Sequence, residues 1–184
     1  DVSLNGDSID DLIIASPNRG ATAIGSVFIY WGGVTADTNT CVLPVCQELR
    51  PYDSAIGLFG TDISASGNVG DVASEAKPDL VVSQPTYASS AGRAFLYFGT
   101  DAGTVDDTNF IEFRGAAGSS FASAGRIIRD INGDGLDEIA FSAHTAGSGQ
   151  GFVYIFKGRT AAQWASSRSA DDGAGHTYVP AADA

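Results

Sequence analysis

The chain has 184 residues, 43% of them hydrophobic, which is enough for a substantial core and excludes a disordered chain. Its formal net charge is −12, with Lys77 and Lys157 as the only lysines, so a phosphate backbone is repelled and nucleic acid is ruled out as an expected partner. No apolar run approaches membrane-spanning length, and the chain opens at Asp1 with no recognisable leader, which reads as a processed chain or a piece of something longer.

Twenty-three glycines and the lack of any sustained helical apolar stripe point to short strands with tight turns, an all-β class. The first stretch with a pattern is Ser3-Leu4-Asn5-Gly6-Asp7-Ser8-Ile9-Asp10-Asp11, which leads into the apolar run 12–15. That strand is expected to stop at Ser16-Pro17, where proline removes a ladder donor. A glycine-bracketed strand follows over 25–33, then a longer connection, then a strand near 47–52. Cys41 and Cys46 sit in that connection. Alone they offer too few ligands for zinc, so a disulfide closing a small loop is expected, with two free thiols the alternative.

The second unit opens at Phe59-Gly60. Its acidic stretch runs from Asp71 through Glu75 to Asp79 and precedes a strand over 80–83 ending at Pro85. A second glycine-bracketed strand over 92–99 and an alternating strand over 109–114 complete it. The third unit opens over 120–129. Its loop, Asp130-Ile131-Asn132-Gly133-Asp134-Gly135-Leu136-Asp137-Glu138, leads into a strand over 139–143, and the third glycine-bracketed strand lies over 151–158. A last strand is expected over 176–179. The closing acids Asp11, Asp79 and Glu138 stand 68 and 59 residues apart, an internal repeat.

Loop 130–138 places side-chain oxygens at its first, third, fifth and ninth positions and glycine at the sixth, where a tight loop needs φ > 0. A hard cation that takes six to eight oxygens, Ca²⁺ above all, suits that spacing. The acids would repel one another without a cation. The EF-hand pattern fails, because the twelfth position from Asp130 is Phe141 rather than a bidentate Glu.

The order of Phe-Gly or Phe-Ala, an Asp-x-Asn-Gly-Asp-Gly-x-x-acid loop, an apolar run and a Gly-x-Val-Tyr-x-Phe-x-Gly strand resembles the FG-GAP repeat. That repeat builds the β-propeller of integrin α-subunits and also occurs in bacterial cell-surface proteins and a secreted phospholipase. The resemblance implies an all-β fold of four-stranded antiparallel blades. About three are present: blade 1 over 1–56 without its first strand, blade 2 over 57–117 and blade 3 over 118–184. A ring needs more, roughly seven in integrin-like propellers, from additional blades of the same parent chain or from self-association. By the same resemblance, Ca²⁺ is held by Asp130, Asn132, Asp134, the Leu136 carbonyl and Glu138, and in the first unit by Ser3, Asn5, Asp7, the Ile9 carbonyl and Asp11. Ser3 and Ser8 depart from the pattern and imply a weaker site, or one in which Asp1 substitutes. The second loop offers Asp71, Glu75 and Asp79, but Ala73 brings no oxygen, and an empty turn is expected there.

Catalysis finds little support. His144 and His176 are the only histidines, and no Gly-x-Ser-x-Gly elbow exists. Gly147 to Gly151 precedes a strand, so it lacks the helix N-terminus that binds phosphate. The expected function is a non-enzymatic, calcium-binding extracellular or cell-surface module for protein or glycan adhesion. The alternatives are the propeller portion of a secreted enzyme and a structural subunit of a surface filament.

Overall fold

A computed structural model of the chain describes residues 2–20, 22–34, 41–42, 44–70, 77–100, 104–108, 110–160 and 163–164. The expected strand over 176–179, like His176, lies outside them. The described residues form three antiparallel sheets and only short helical turns. The first sheet holds β1 (Leu12–Ser16), β2 (Ser26–Tyr30) and β3 (Cys46–Leu49) in that order. The second holds β4 (Ile63–Ala65), β5 (Leu80–Gln84), β6 (Arg93–Tyr97) and β7 (Phe110–Arg114). The third holds β8 (Phe121–Ile128), β9 (Glu138–Ala143) and β10 (Phe152–Phe156). Valine, isoleucine and the aromatics fill these segments because their branched or flat side chains suit a pleated, packed surface. Helical turns α1 (Tyr87–Ser90) and α2 (Ala146–Gly149) carry left-handed residues inside and serve as corners rather than helices.

The sheets pack face to face around two cores. Val27, Ile29 and Leu49 of the first sheet meet Leu80, Val82 and Phe95 of the second. On the other face of the second sheet, Val81, Leu96 and Phe113 meet Ile127, Ile139 and Phe141 of the third. Period-2 alternation sends successive side chains of β5 into different cores, which is why all five of its residues are buried. Of β1, β5 and β9, only β5 is buried along its whole length. In β1, Leu12 and Ile14 are 58% and 45% exposed, because no described residues pack over that side.

Neighbouring sheets are also joined along their backbones. The Phe59 N–H donates to the Ile24 carbonyl at 2.9 Å, and the Phe121 N–H donates to the Ala91 carbonyl at 3.1 Å. Each phenylalanine lies over a glycine with positive φ: Gly25 (+91°) and Gly92 (+79°). A Cβ on Gly92 would stand 2.2 Å from the Phe121 carbonyl oxygen, so the close approach of two backbones requires glycine there. Gly92→Ala is expected to combine left-handed strain with a backbone clash and to cost about 3 kcal/mol. A melting temperature within a degree or two of the parent would refute this.

The Cys41–Cys46 disulfide is present. It borders a cleft of about 640 Å³ whose opposite wall is Thr104 to Asp107.

Candidate metal centre

Loop 130–138 joins β8 to β9, and its shape follows from its own side chains. The Asp130 carboxylate accepts the N–H of Gly133 at 2.6 Å, of Asp134 at 3.2 Å and of Gly135 at 2.8 Å. Asn132 Oδ1 accepts the Asp134 N–H at 2.9 Å, and Asp134 Oδ1 accepts the Leu136 N–H at 3.0 Å. These nested turns fold the backbone back on itself, with Gly133 and Gly135 at φ of +80° and +94°. Glu138, buried at the head of β9, closes the loop: Oε2 accepts the Ile131 N–H at 2.8 Å and Oε1 accepts the Asn132 amide at 2.6 Å. Among the described residues, one group of three or more potential metal-ligating acidic, His or Cys side chains emerges. Asp130, Asp134 and Glu138 each offer a carboxylate oxygen, all within 4.8 Å of one another. The backbone N–H groups, that of Gly135 foremost, hold the Asp130 carboxyl below its ordinary range.

Loop 3–11 repeats this backbone. Ile9 N–H donates to Asp7 Oδ1 at 2.8 Å, Asp7 N–H to Asn5 Oδ1 at 3.1 Å, and Leu4 N–H to Asp11 Oδ2 at 2.8 Å. Gly6 and Ser8 take the two positive φ values, +72° and +68°, where Gly133 and Gly135 stand in the third unit. The side chains differ in charge. The Ser3 hydroxyl donates to Asn5 and Asp7, and the Asn5 amide donates to Asp7 Oδ2 at 3.0 Å. Neutral donors thus occupy Asp7, and no three-carboxylate group forms here among the described residues. The structure brings Ser3, Asn5 and Asp7 together, while Asp11 is turned inward onto the N–H groups of Leu4 and Gly32.

The second loop requires a change of register. Its closing acid Asp79 is fully buried and accepts the Val69 N–H at 2.8 Å, the same bond that Asp11 makes to Leu4 and Glu138 to Ile131. Val69 is therefore the loop's second residue and Asn68 its first. Counting from 68 to 79 gives twelve residues, against nine in the other two loops. The start assigned from sequence at Asp71 is three residues late, because spacing from the closing acid cannot reveal an insertion. Asp71 and Glu75 themselves lie outside the described residues.

Sequence reasoning passed over Asp137. Its Oδ1 accepts the Asp130 N–H at 3.0 Å and its Oδ2 accepts the Asn68 N–H at 2.9 Å, while its own N–H donates to the Asn68 carbonyl at 2.8 Å. One aspartate thus ties the third-unit loop to the second unit. Its eighth place in the motif was visible, but its partner, 69 residues away, was not.

The histidine reading is unchanged as far as it reaches. His144 is exposed and its Nδ1 pairs with the Ser123 hydroxyl at 2.9 Å, with Ser142 next in line at 2.8 Å and no acid among these contacts.

No family model matches the chain. A stretch of 109 residues, 55% of this chain, is 32% identical to integrin alpha-4 of Xenopus laevis, of which it covers 10%. The chain thus spans about a tenth of the length of that relative, and its likeness is to one part of an integrin α-subunit.

Proposed function

We propose that this chain is a segment of a calcium-stabilised, extracellular β-propeller that serves as a binding or adhesion module. Residues 1–56, 57–117 and 118–184 are taken as successive blades, and Ca²⁺ shapes the blade corners. The observation that carries the metal reading is the convergence of Asp130, Asp134 and Glu138 within 4.8 Å, in a loop whose backbone is already folded around that point. The side chains of Asp130, Asn132, Asp134 and Glu138 with the Leu136 carbonyl supply an all-oxygen donor set, the kind a hard cation takes. A bound ion would neutralise the clustered charge and hold the corner rigid. Glu138 then links the ion to β9, and Asp137 links the corner to the second unit. Loop 3–11, with Asp7 as its outward carboxylate at a ligand position, is proposed as a weaker site, and the second-unit loop, closed by Asp79, as a turn without a metal.

Three stacked sheets, an integrin-like stretch and a disulfide support the propeller and the extracellular setting. Among the described residues no helix is long and apolar enough to cross a membrane. The adhesion role rests on the likeness to an integrin α-subunit, and its ligand is a protein or glycan of the cell exterior. Calorimetric titration of the metal-free chain with Ca²⁺ is the direct test. One strong site is expected, and heat no different from buffer dilution would end the calcium reading.

A further inference from the structure

Asp137 holds the opening residues of two successive loops at once. Its Oδ1 accepts the N–H of Asp130, which opens the third-unit loop, at 3.0 Å. Its Oδ2 accepts the N–H of Asn68, which opens the second-unit loop, at 2.9 Å. The Asp137 N–H donates back to the Asn68 carbonyl at 2.8 Å, so the contact with Asn68 is made from both sides. Gly67 leaves the room for this: at its φ of +68° a Cβ would overlap Asp137 Oδ2. The two oxygens of a carboxylate are fixed relative to one another. The Asp130 and Asn68 N–H groups, far apart in the chain, are therefore set by one planar group.

Each of the two residues goes on to shape its own loop. Asp130 turns its carboxylate onto the N–H groups of Gly133, Asp134 and Gly135 and is the first donor of the proposed cation site. Asn68 turns its Oδ1 onto the N–H of Gly70, which is buried, at 2.8 Å. A shift of Asp130 is thus passed through Asp137 to the turn over 68–70. The tie belongs to this junction. Asp79 and Glu138 make the same closing bond, so Pro78 stands in the second unit where Asp137 stands in the third. Proline has neither a carboxylate nor an N–H, so the second-unit loop cannot hold Ser3 of the first unit in the same way.

We infer that Asp137 is a positioning residue that couples cation binding in loop 130–138 to the 68–70 turn of the neighbouring unit. Without the bond from its N–H to Asp137, Asp130 loses the anchor that aims it, and the site loses affinity. Conversely, once Asp130 is fixed as a ligand, Asn68 is held with it. Both effects are one coupling free energy, so each implies the other. Groups that orient a metal ligand without touching the metal are typically worth about 10–100-fold in affinity. This inference rests on the calcium reading proposed above and adds the route by which one corner stiffens the next.

Two measurements on the full chain test it together: calorimetric titration with Ca²⁺, and amide hydrogen exchange with and without Ca²⁺. In the parent, exchange at Asn68 and Gly70 is expected to slow on calcium binding by more than at Phe28 and Tyr30 in β2, which share no bond with Asp137. Asp137→Asn puts an NH₂ donor where one accepting oxygen stood, so it keeps only one of the two bonds. In that variant the extra slowing should vanish and the calcium dissociation constant should rise about tenfold. An Asp137 that served the fold alone would lower the melting temperature and leave the dissociation constant as it was. The parent's exchange decides the matter even if the variant fails to fold. Calcium heat in the parent without extra slowing at Asn68 and Gly70, or parent-like affinity in Asp137→Asn, would overturn the coupling and leave the calcium site standing. No calcium heat at all would end both.

Discussion

Replacing Arg93 with alanine is expected to cost about 3–5 kcal/mol, the range for breaking a buried, hydrogen-bonded ion cluster from one side. Arg93 is fully buried in β6. Its Nη2 donates to Asp53 Oδ1 at 2.8 Å, while Nη1 donates to Asp53 Oδ2 at 2.9 Å and Glu112 Oε1 at 2.8 Å. Its Nε donates to Gln84 Oε1 at 2.6 Å, and the Tyr87 ring stacks on the guanidinium at 3.8 Å. Burial opposes the charge, but Asp53 and Glu112 more than offset it and raise the Arg93 pKa. Asp53 lies in the connection between the first two sheets, so this one side chain fastens that connection onto the second sheet. Alanine would leave Asp53 without its cation, leave Glu112 to Arg114 alone and open a cavity under Tyr87. For a chain this long the loss corresponds to a fall in melting temperature of roughly 10 °C or more. Arg93→Lys would keep the charge but lose the bidentate fork, and should recover only part of it. A variant that melts with the parent would show that the cluster contributes nothing net.

The same cluster sets an acid limit. The hydrogen bonds from Arg93 lead the causes that hold Asp53 below its ordinary pKa. A carboxylate depressed in the folded state adds stability that is fully present above its unfolded pKa, about 4. That stability is lost as pH falls through the lower folded value. The parent should therefore lose stability below about pH 4, and Arg93→Ala should lose less over that interval, because its Asp53 is no longer held down.

The strands were legible because alternation and bracketing glycines mark them directly: β6 falls inside the 92–99 bracket and β10 inside the 151–158 bracket. The third-unit loop was legible for a related reason, since its turns are made by side chains bonding two to five residues away. What escaped were interactions whose partners are distant in the chain. Arg93 occupies the position held by Ser26 and Phe152 in the other units, so the repeat gave no hint of an ion cluster there. Its partner Asp53 lies 40 residues away in a connection with no pattern. Asn68 was missed as a loop start because an insertion leaves the closing acid in place while moving everything before it. Coverage of a sheet face depends on what is packed over it, which is why identical apolar patterning in β1 and β5 ended half-exposed in one and buried in the other.

The loop that was most legible gives the sharpest metal test, Asp134→Asn. Asp134 is exposed, and its Oδ1 accepts the Leu136 N–H at 3.0 Å, a bond that an asparagine oxygen can keep. The change removes charge and leaves the turn. In the parent, Ca²⁺ at about a hundred times its dissociation constant should add about 2.7 kcal/mol, a rise in melting temperature of roughly 5–10 °C. Mg²⁺ should give far less, because it demands a tighter octahedron and keeps its water. In Asp134→Asn the calcium-dependent rise should shrink toward zero. Without calcium, the variant should melt at or above the parent, since one of three mutually repelling carboxylates is gone. The two halves have opposite signs, and only a site built for a cation predicts both. If Asp134 served merely to cap its turn, asparagine would leave the parent's behaviour unchanged in both conditions, and equal melting curves for the two proteins with and without calcium would decide for that simpler role.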